Sequence, residues 1–270
     1  MTPQQMEALA HLEARLEDHL ARSERGETAV SCFLTPGERK QAERYLVRRG
    51  MGKRCRFWGG YPDAERVCLI VLPAYYEDLA DWMDGLEEAS LSEELGEDGV
   101  TAVRITGSGY RTLTHRDYLG SLLGLGLERD ALGDIAVQND REAVVFCKGR
   151  MADFLISTLE KVASDAVKCR KYRVDEAFTD GRHYKPVTDT VASARLDCIV
   201  AALTNLSRED AQGLVRGGMV DLDFETEERV DKLLVAPATL SVRGYGRYIL
   251  RAFDGETKKG RLRLRADQLV

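Results

Sequence analysis

The most constraining feature of this sequence is an ordered set of helix and strand signals between residues 193 and 252. Ser193–Ala202 predicts a short helix. A second helix begins at Ser207-Arg-Glu-Asp210, because a serine can cap a helix while an acidic residue three positions later reaches back to it. Gly217-Gly218 ends that helix. Strands are then predicted at Met219–Leu222, Thr239–Arg243 and Tyr248–Ala252. Two short helices followed by a small sheet are therefore expected.

Charge is distributed unevenly along the chain. The whole sequence carries a net charge of −6, which by itself argues mildly against a nucleic-acid partner. The stretch from Ser241 to Ala266 nevertheless has eight basic and two acidic residues, a local net charge of +6. Its basic residues are Arg243, Arg247, Arg251, Lys258, Lys259, Arg261, Arg263 and Arg265. Because phosphate contacts depend on local potential, this stretch indicates an anionic partner.

The first 75 residues predict a small α+β domain. Residues 2–22 have an apolar stripe at helical spacing. The segment GERKQAERYLVRR, residues 37–49, predicts a second helix. Val67–Leu72 is a continuous apolar run and predicts a buried strand. A helix packed on a small sheet is expected here.

Alternating strand and helix signals occupy residues 76–178 and predict a second compact α+β domain. Strands are predicted at Val100–Ile105, Ile135–Gln138, Glu142–Cys147 and Ala166–Val174, and helices at Arg116–Leu123 and Met151–Val162. Residues 76–95 are acidic and predicted to be partly helical. The polar segment Thr179–Thr190 contains Gly181 and Pro186, so we interpret it as the linker to the last domain.

Composition narrows the class of protein further. The hydrophobic fraction of 44% and the charged fraction of 31% are typical of a soluble globular protein. No run of 18 apolar residues predicts a membrane helix, and the N-terminal residues do not fit a secretory signal. The six cysteines form no CxxC pair and the four histidines are dispersed, so we expect free thiols in a reducing cytoplasm and no metal site.

Several runs in the last domain resemble an S4 domain, an RNA-binding fold of the α-L type. They are Ala194–Asp197 (ARLD), Leu206–Ala211 (LSRxxA), Gly218–Val220 (GxV) and Ser241–Arg247 (SVRGxGR). The resemblance implies recognition of RNA by shape and phosphate contacts. For any single arginine, a surface ion pair is the simpler interpretation; the ordered set favours RNA. The expected RNA-binding residues are Arg195, Ser207, Arg208, Gln212, Arg216, Arg243, Arg247, Lys258, Lys259 and Arg261.

Further motifs across the chain resemble the YlmH family of bacterial S4-domain RNA-binding proteins. They are Phe33–Glu38 (FLTPGE), Gly59–Arg66 (GGYPDAER), Thr114–Gly120 (THRDYLG), Gly124–Arg129 (GLGLER), Gly133–Ile135 (GDI) and Thr257–Arg261 (TKKGR). The resemblance implies an N-terminal domain over residues 1–75, a central RRM-like domain over 76–178 and the S4 domain over 190–270. It also implies a non-enzymatic, cytoplasmic protein without cofactor. Such a protein would bind the large ribosomal subunit and tRNA during quality control of stalled nascent chains.

Two segments depart from the S4 pattern. S4 domains usually have Asn-Gly after the V-x-V strand, where this chain has Asp221-Leu-Asp223 followed by acidic residues. Pro237-Ala238 replaces a usual Gly-Asp. These departures make the local hairpin, and RNA contacts from it, uncertain.

Three other functions were weighed. His115-Arg-Asp117 resembles a kinase catalytic loop, but no DFG motif or glycine-rich loop accompanies it; Thr114 as a helix cap is the simpler interpretation. ARLD resembles the catalytic G-R-L-D motif of pseudouridine synthases, although Asp197 is expected to be a structural partner of an arginine. A division-linked scaffold would use the acidic stretch from Glu77 to Glu97.

One cluster stays open between two interpretations. Lys168, Arg170, Lys171 and Arg173 flank the last predicted strand of the central domain. They are either an exposed basic edge that discourages strand pairing or an additional RNA contact.

Overall fold

The protein divides into two units, described here from a computed structural model. The structure describes residues 3–76, 94–175 and 177–270. The first unit is Met1–Gly181 and the second is Arg182–Val270. Both combine helices with antiparallel sheets, which confirms the predicted α+β class. Among the described residues, no helix is long and apolar enough to cross a bilayer.

The first unit begins with two helices and a three-stranded sheet. The helices are α1 (Pro3–Glu24) and α2 (Pro36–Arg48), and the strands are β1 (Ala29–Leu34), β2 (Cys55–Trp58) and β3 (Val67–Val71). Strand β3 lies in the middle, and all five of its residues are buried. A capping box explains where α2 starts: the Thr35 hydroxyl accepts from the Glu38 N–H, and the Glu38 carboxylate accepts from the Thr35 N–H.

The central part of the first unit is a five-stranded antiparallel sheet in the order β5-β6-β4-β8-β7. Its strands are β4 (Val100–Gly107), β5 (Leu132–Asn139), β6 (Glu142–Lys148), β7 (Lys161–Val162) and β8 (Asp165–Tyr172). Helix α3 (His115–Gly124) follows β4, and α4 (Gly149–Thr158) follows β6. Both helices pack on one face of the sheet, where they bury Val103, Ile105 and Val145.

The opposite face of that sheet is partly covered by the three-stranded sheet. Ala102, Val144 and Phe146 alternate with the helix-facing residues and share a core with Phe33, Trp58 and other residues of the first 76. The boundary expected near residue 75 therefore lies next to a continuous core. The division into three domains stays a prediction.

Asp134 joins the two sheets. Its carboxylate accepts from the Tyr61 hydroxyl at 2.7 Å and from the backbone N–H groups of Glu65 and Arg66 at 2.8 and 3.1 Å. The buried Arg66 side chain donates in turn to the Leu132 carbonyl at 2.8 Å. The GGYPDAER and GDI motifs thus meet at one joint, and their shared role is structural.

The second unit is a helix pair on a six-stranded antiparallel sheet in the order β11-β10-β12-β13-β14-β9. The helices are α5 (Leu196–Thr204) and α6 (Arg208–Arg216). The strands are β9 (Tyr184–Val191), β10 (Val220–Leu222), β11 (Glu225–Thr226), β12 (Ala238–Val242), β13 (Gly246–Glu256) and β14 (Leu262–Leu269). Ile199, Val215, Leu240 and Leu250 are fully buried in the core between helices and sheet.

Two predictions about local structure were wrong. The presumed linker is a strand from Tyr184 onward, because the whole of β9 pairs with β14. Pro186 is tolerated there because β9 is an edge strand. The helix predicted to reach Val162 ends at Thr158, since Leu159 is extended and Lys161–Val162 forms β7. The acidic stretch from Glu77 to Glu97 was a candidate surface for a scaffold. Its residues 77–93 lie outside the described part of the chain.

The Asp134 joint predicts a large effect of one substitution. We expect Asp134→Ala to lower the free energy of unfolding by about 3 kcal/mol, because it removes the carboxylate that accepts from the Tyr61 hydroxyl and from two backbone N–H groups. Urea denaturation of the full chain measures this. Asp140→Ala, at an exposed turn position of the same sheet, is the matched control and should change stability by less than about 0.5 kcal/mol. Equal changes in the free energy of unfolding for the two variants would show that the Asp134 hydrogen bonds do not hold the two sheets together.

Candidate nucleic-acid interface

A buried carboxylate organises the basic side chains of the second unit. Asp197 lies in the first turn of α5 and its side chain is 0% exposed. It accepts from Nε of Arg195 at 3.1 Å, from Nε of Arg208 at 3.0 Å and from Nε2 of Gln212 at 2.8 Å. The expectation that Asp197 partners an arginine is confirmed. The structure brings three predicted site residues together on one acceptor.

The charge of Asp197 is retained although the carboxylate is buried. Burial acts to raise the pKa of Asp197, but hydrogen bonds from Arg195, Gln212 and Arg208 outweigh it and leave the pKa below its ordinary value. The two arginine side chains are 33% and 55% exposed. Each guanidinium has five N–H donors, so one edge can bond Asp197 while the outer edge stays available to a ligand.

Helix α6 extends this network along one face. Arg208, Gln212 and Arg216 recur at intervals of four and therefore share a side of the helix. Gln212 connects them, since its amide donates to Asp197 while its carbonyl accepts from Arg216 Nη2 at 3.4 Å. The result is a row of guanidinium groups with fixed spacing.

Ser207 caps α6, as predicted. Its hydroxyl accepts from the Asp210 N–H at 3.1 Å and donates to the Asp210 carboxylate at 2.7 Å. The acidic side chain reaches back to the cap residue, as expected, and bonds its hydroxyl. A carboxylate already occupies this helix N-terminus, so the Ser207 hydroxyl is committed to the cap.

Two more predicted residues flank the turn after α6. Arg216 immediately precedes Gly217, and the backbone N–H of Arg243 donates to the carbonyl of Met219 at 2.9 Å. Both arginine side chains are exposed. Tyr245, two residues beyond Arg243 and between Gly244 and Gly246, is an exposed aromatic that sequence reasoning missed. The sequence signal that could have identified Tyr245 is its position between two glycines in a basic loop.

Arg247 has a different environment from Arg243. Its guanidinium lies over the Phe224 ring, 5.3 Å from the centroid. Phe224 and Asp223 form the turn between β10 and β11, with φ of 68° and 50°. Two positive φ values are what an Asn-Gly turn supplies without strain. The hairpin left uncertain by the sequence therefore forms without those residues.

The basic stretch contains paired and exposed cations. Arg251 bonds Asp267 and Arg265 bonds Asp254, both at 2.7 Å, as the ion-pair interpretation expected for single arginines. Arg261 donates to the hydroxyl of Thr190 at 3.0 Å and to its carbonyl, which ties β14 to β9. Lys258 and Lys259 are exposed in the turn between β13 and β14.

A second basic surface lies on the central sheet. Arg104 on β4 is in register with Arg170 on β8, and the Arg104 guanidinium centre is 4.0 Å from the centroid of the Tyr172 ring. Lys168 and Arg170 are exposed on the same face, because residues two apart in a strand share a side. Lys171 points the other way and pairs with Asp153 of α4 at 2.8 Å.

The remaining motifs have structural roles in the first unit. The Thr114 hydroxyl caps α3, and Asp117 accepts from it at 2.7 Å and from the Thr114 N–H at 2.8 Å. These bonds lower the pKa of Asp117. Burial raises the pKa of the Cys68 and Cys147 thiols to about 12, so neither is a reactive thiolate. Within residues 3–76, 94–175 and 177–270, no group of His, Cys, Asp or Glu side chains could hold a metal ion.

Comparisons with known proteins agree with the motifs. Residues 100–176 match the family model described as "Putative RNA-binding domain in YlmH". Over 235 residues the chain is 28% identical to the ribosome-associated protein quality control protein P2 of Bacillus subtilis, covering 87% of this chain and 85% of that protein. The chain is thus similar to YlmH proteins both in this domain and over most of its length. A solved structure, cell division protein ylmH from Streptococcus pneumoniae, is 16% identical with a TM-score of 0.44, covering 64% of this chain and 93% of that one.

The family match coincides with one of the two basic surfaces. Its 77 residues, 100–176, contain both β4 and β8 and hence Arg104, Lys168, Arg170 and Tyr172. The similarity to an RNA-binding domain therefore falls in the first unit, whereas the arginine network lies in the second.

The Asp197 network makes a prediction about stability and pH. We expect Asp197→Asn to destabilise the protein by about 3 kcal/mol at pH 7, because it removes the charge that Arg195 and Arg208 bond. The folded pKa of Asp197 is lowered. Its stabilisation is thus complete above the unfolded pKa of about 4 and is lost as pH falls below that value.

Urea denaturation of wild type and Asp197→Asn at several pH values measures this difference. The gap between the two proteins should narrow below about pH 4. Glu256→Gln, an exposed carboxyl at the end of β13 in the same unit, is the control. A gap that stays constant down to pH 2 would show that the charge of Asp197 does not contribute.

Proposed function

We propose that the protein is a non-enzymatic RNA-binding protein that recognises ribosomal RNA and tRNA on the large ribosomal subunit. The observation that carries this proposal is the set of guanidinium groups of Arg195, Arg208 and Arg216, of which Asp197 bonds the first two directly and the third through Gln212. A preordered cationic row loses less conformational freedom when it meets a phosphate backbone than separate surface arginines would.

The architecture of the second unit supports its assignment as an S4 domain. Helices α5 and α6 are joined through Asn205, which has the left-handed conformation with φ of 56°, and both pack on an antiparallel sheet. The ARLD and LSRxxA motifs supply Asp197 and Arg208, which bond each other. The two motifs therefore occur together because each supplies one partner of the same hydrogen-bond network.

The topology of the central sheet supports an RRM-like assignment. Its elements follow the order β4-α3-β5-β6-α4-β8 along the chain, with β4 and β6 as neighbours in the middle of the sheet. That βαββαβ arrangement places both helices on one face, and RRM domains bind RNA on the other. Here the other face is partly covered, so an RNA contact is limited to its open part near β8.

A role in quality control of stalled nascent chains follows from the relative. The Bacillus subtilis protein is named for ribosome-associated quality control and aligns with most of this chain. Binding structured RNA on a ribosomal subunit fits contacts by shape and phosphate. A protein that binds ribosomes is expected in the cytoplasm.

The environment of Asp197 supports a non-enzymatic protein over a pseudouridine synthase. A catalytic carboxylate must reach its substrate, whereas this one is fully buried and accepts from Arg195, Arg208 and Gln212. Mass spectrometry of RNA incubated with the protein tests the alternative. New modified nucleosides would show that the protein is an enzyme.

Binding to the large subunit is tested best with exposed cations that do not bond Asp197 directly. We expect the double variant Arg216→Ala and Arg243→Ala to weaken co-sedimentation with large subunits by about 2–4 kcal/mol, or roughly 30- to 800-fold. The log–log salt dependence should become shallower by about 1.4 to 1.8, since two phosphate contacts are removed. Stability should change little, because both side chains are exposed.

The matched control is Arg229→Ala with Lys232→Ala. Arg229 pairs with Glu227 at 2.8 Å beside the acidic hairpin, so the control removes the same charge from another part of the unit. Undiminished binding of the Arg216 and Arg243 double variant, or an equal loss in the control, would refute the proposed interface.

A further inference from the structure

A cavity in the first unit has no part in the contacts proposed so far. Its volume is about 660 Å³, and it lies where β4 begins and β8 ends. Three aromatic side chains line it: Trp58, Phe146 and Tyr172. A cavity of this size with several aromatic walls can hold a planar heterocycle.

The walls are fixed before any ligand arrives. Phe146 is fully buried and its ring lies 4.9 Å from that of Tyr61. Gly60 brings the loop after β2 against this ring: a Cβ at Gly60 would come within 2.3 Å of Phe146, and its φ of 100° also favours glycine. Any side chain at residue 60 would displace the aromatic wall.

Trp58 has an unused hydrogen-bond donor. Its side chain is in the core with 6% exposure, and its indole N–H has no acceptor in the described part of the chain. Buried donors are normally paired. Because that N–H is itself buried, a ligand in the cavity would lie beside the indole ring and not at its N–H, which makes Trp58 a reporter of occupancy.

Charges around the cavity indicate which part of a nucleotide would enter. Lys171 and Arg173 line it together with Asp153 and Glu97, so the lining charges cancel. Outside it, Lys168 and Arg170 are exposed along β8. A neutral base suits the cavity, and an anionic backbone suits the cations along the strand.

We propose that the cavity binds one unstacked base of single-stranded RNA whose phosphates lie along β8. The inference rests on the proposed RNA-binding function and adds a second mode of contact to it. Phe146, Tyr172 and Arg173 fall within the residues that match the RNA-binding family model. Stacking on an aromatic side chain is how proteins commonly hold bases of unpaired strands.

Tryptophan fluorescence tests the proposal directly. The sequence has two tryptophans, Trp58 and Trp82, so Trp82→Phe in the full chain leaves Trp58 as the only reporter. Titration with a single-stranded RNA of about eight nucleotides should quench Trp58 emission. An abasic nucleotide at the position that occupies the cavity should remove the quenching and lower affinity about tenfold, while abasic nucleotides elsewhere should have smaller effects.

Two pairs of variants in the same background separate the cavity from general effects. Thr101→Phe places a ring in the cavity and should abolish quenching, whereas Thr112→Phe, at an exposed loop position, should not. Arg173→Glu, an exposed change that does not disturb the core, should weaken quenching at a given RNA concentration. Arg141→Glu, in the β5–β6 turn, should leave it unchanged.

The outcomes distinguish this inference from the proposed function. If RNA binds without quenching Trp58, or if Thr101→Phe and Arg173→Glu both quench like wild type, the base-binding cavity is wrong and large-subunit binding through Arg216 and Arg243 is unaffected. If free nucleoside monophosphates quench as strongly as RNA at equal concentration, the ligand is a small nucleotide and the RNA assignment is overturned. If neither oligonucleotides nor large subunits bind, the proposed function itself fails.

Discussion

The second unit depends on a single buried carboxylate. Asp197 receives hydrogen bonds from Arg195, Arg208 and Gln212, and it lies fully out of contact with solvent. A buried charge is stable only when it is paired and fully bonded. The same bonds that satisfy Asp197 orient the arginines, so the stability of the helix pair and the geometry of the cationic row are consequences of one interaction.

In the first unit, Asp134 is also a carboxylate that accepts several hydrogen bonds, but it joins two sheets and does not order arginines. Its bonds to Tyr61 and to the backbone of Glu65 and Arg66 hold the N-terminal sheet on the central sheet. That packing covers part of the face opposite the helices. It also creates the cavity beside Trp58. The GGYPDAER and GDI motifs therefore determine how much of the central sheet stays open, because they join the two sheets.

The candidate site was predicted unevenly. Ser207 as a cap and Asp197 as an arginine partner follow from local spacing, and the structure confirms both. Sequence could not show that Arg261 is tied to Thr190 or that Arg247 lies over Phe224, because each contact joins residues distant in the chain or on different strands. Trp58 was missed because only packing against β4 and β8 makes it a cavity wall.

By itself, the sequence determined the elements whose signals are local. Helix α2 and helix α6 begin at capping residues, and the buried strand β3 is one apolar run, since caps and burial patterns act within a few residues. Only the tertiary structure decided that the polar segment from Tyr184 to Val191 is a strand. Of its eight residues only Val191 is buried, and its order comes from pairing with β14. Backbone pairing with a distant strand leaves no periodic signal in the side chains of an exposed edge.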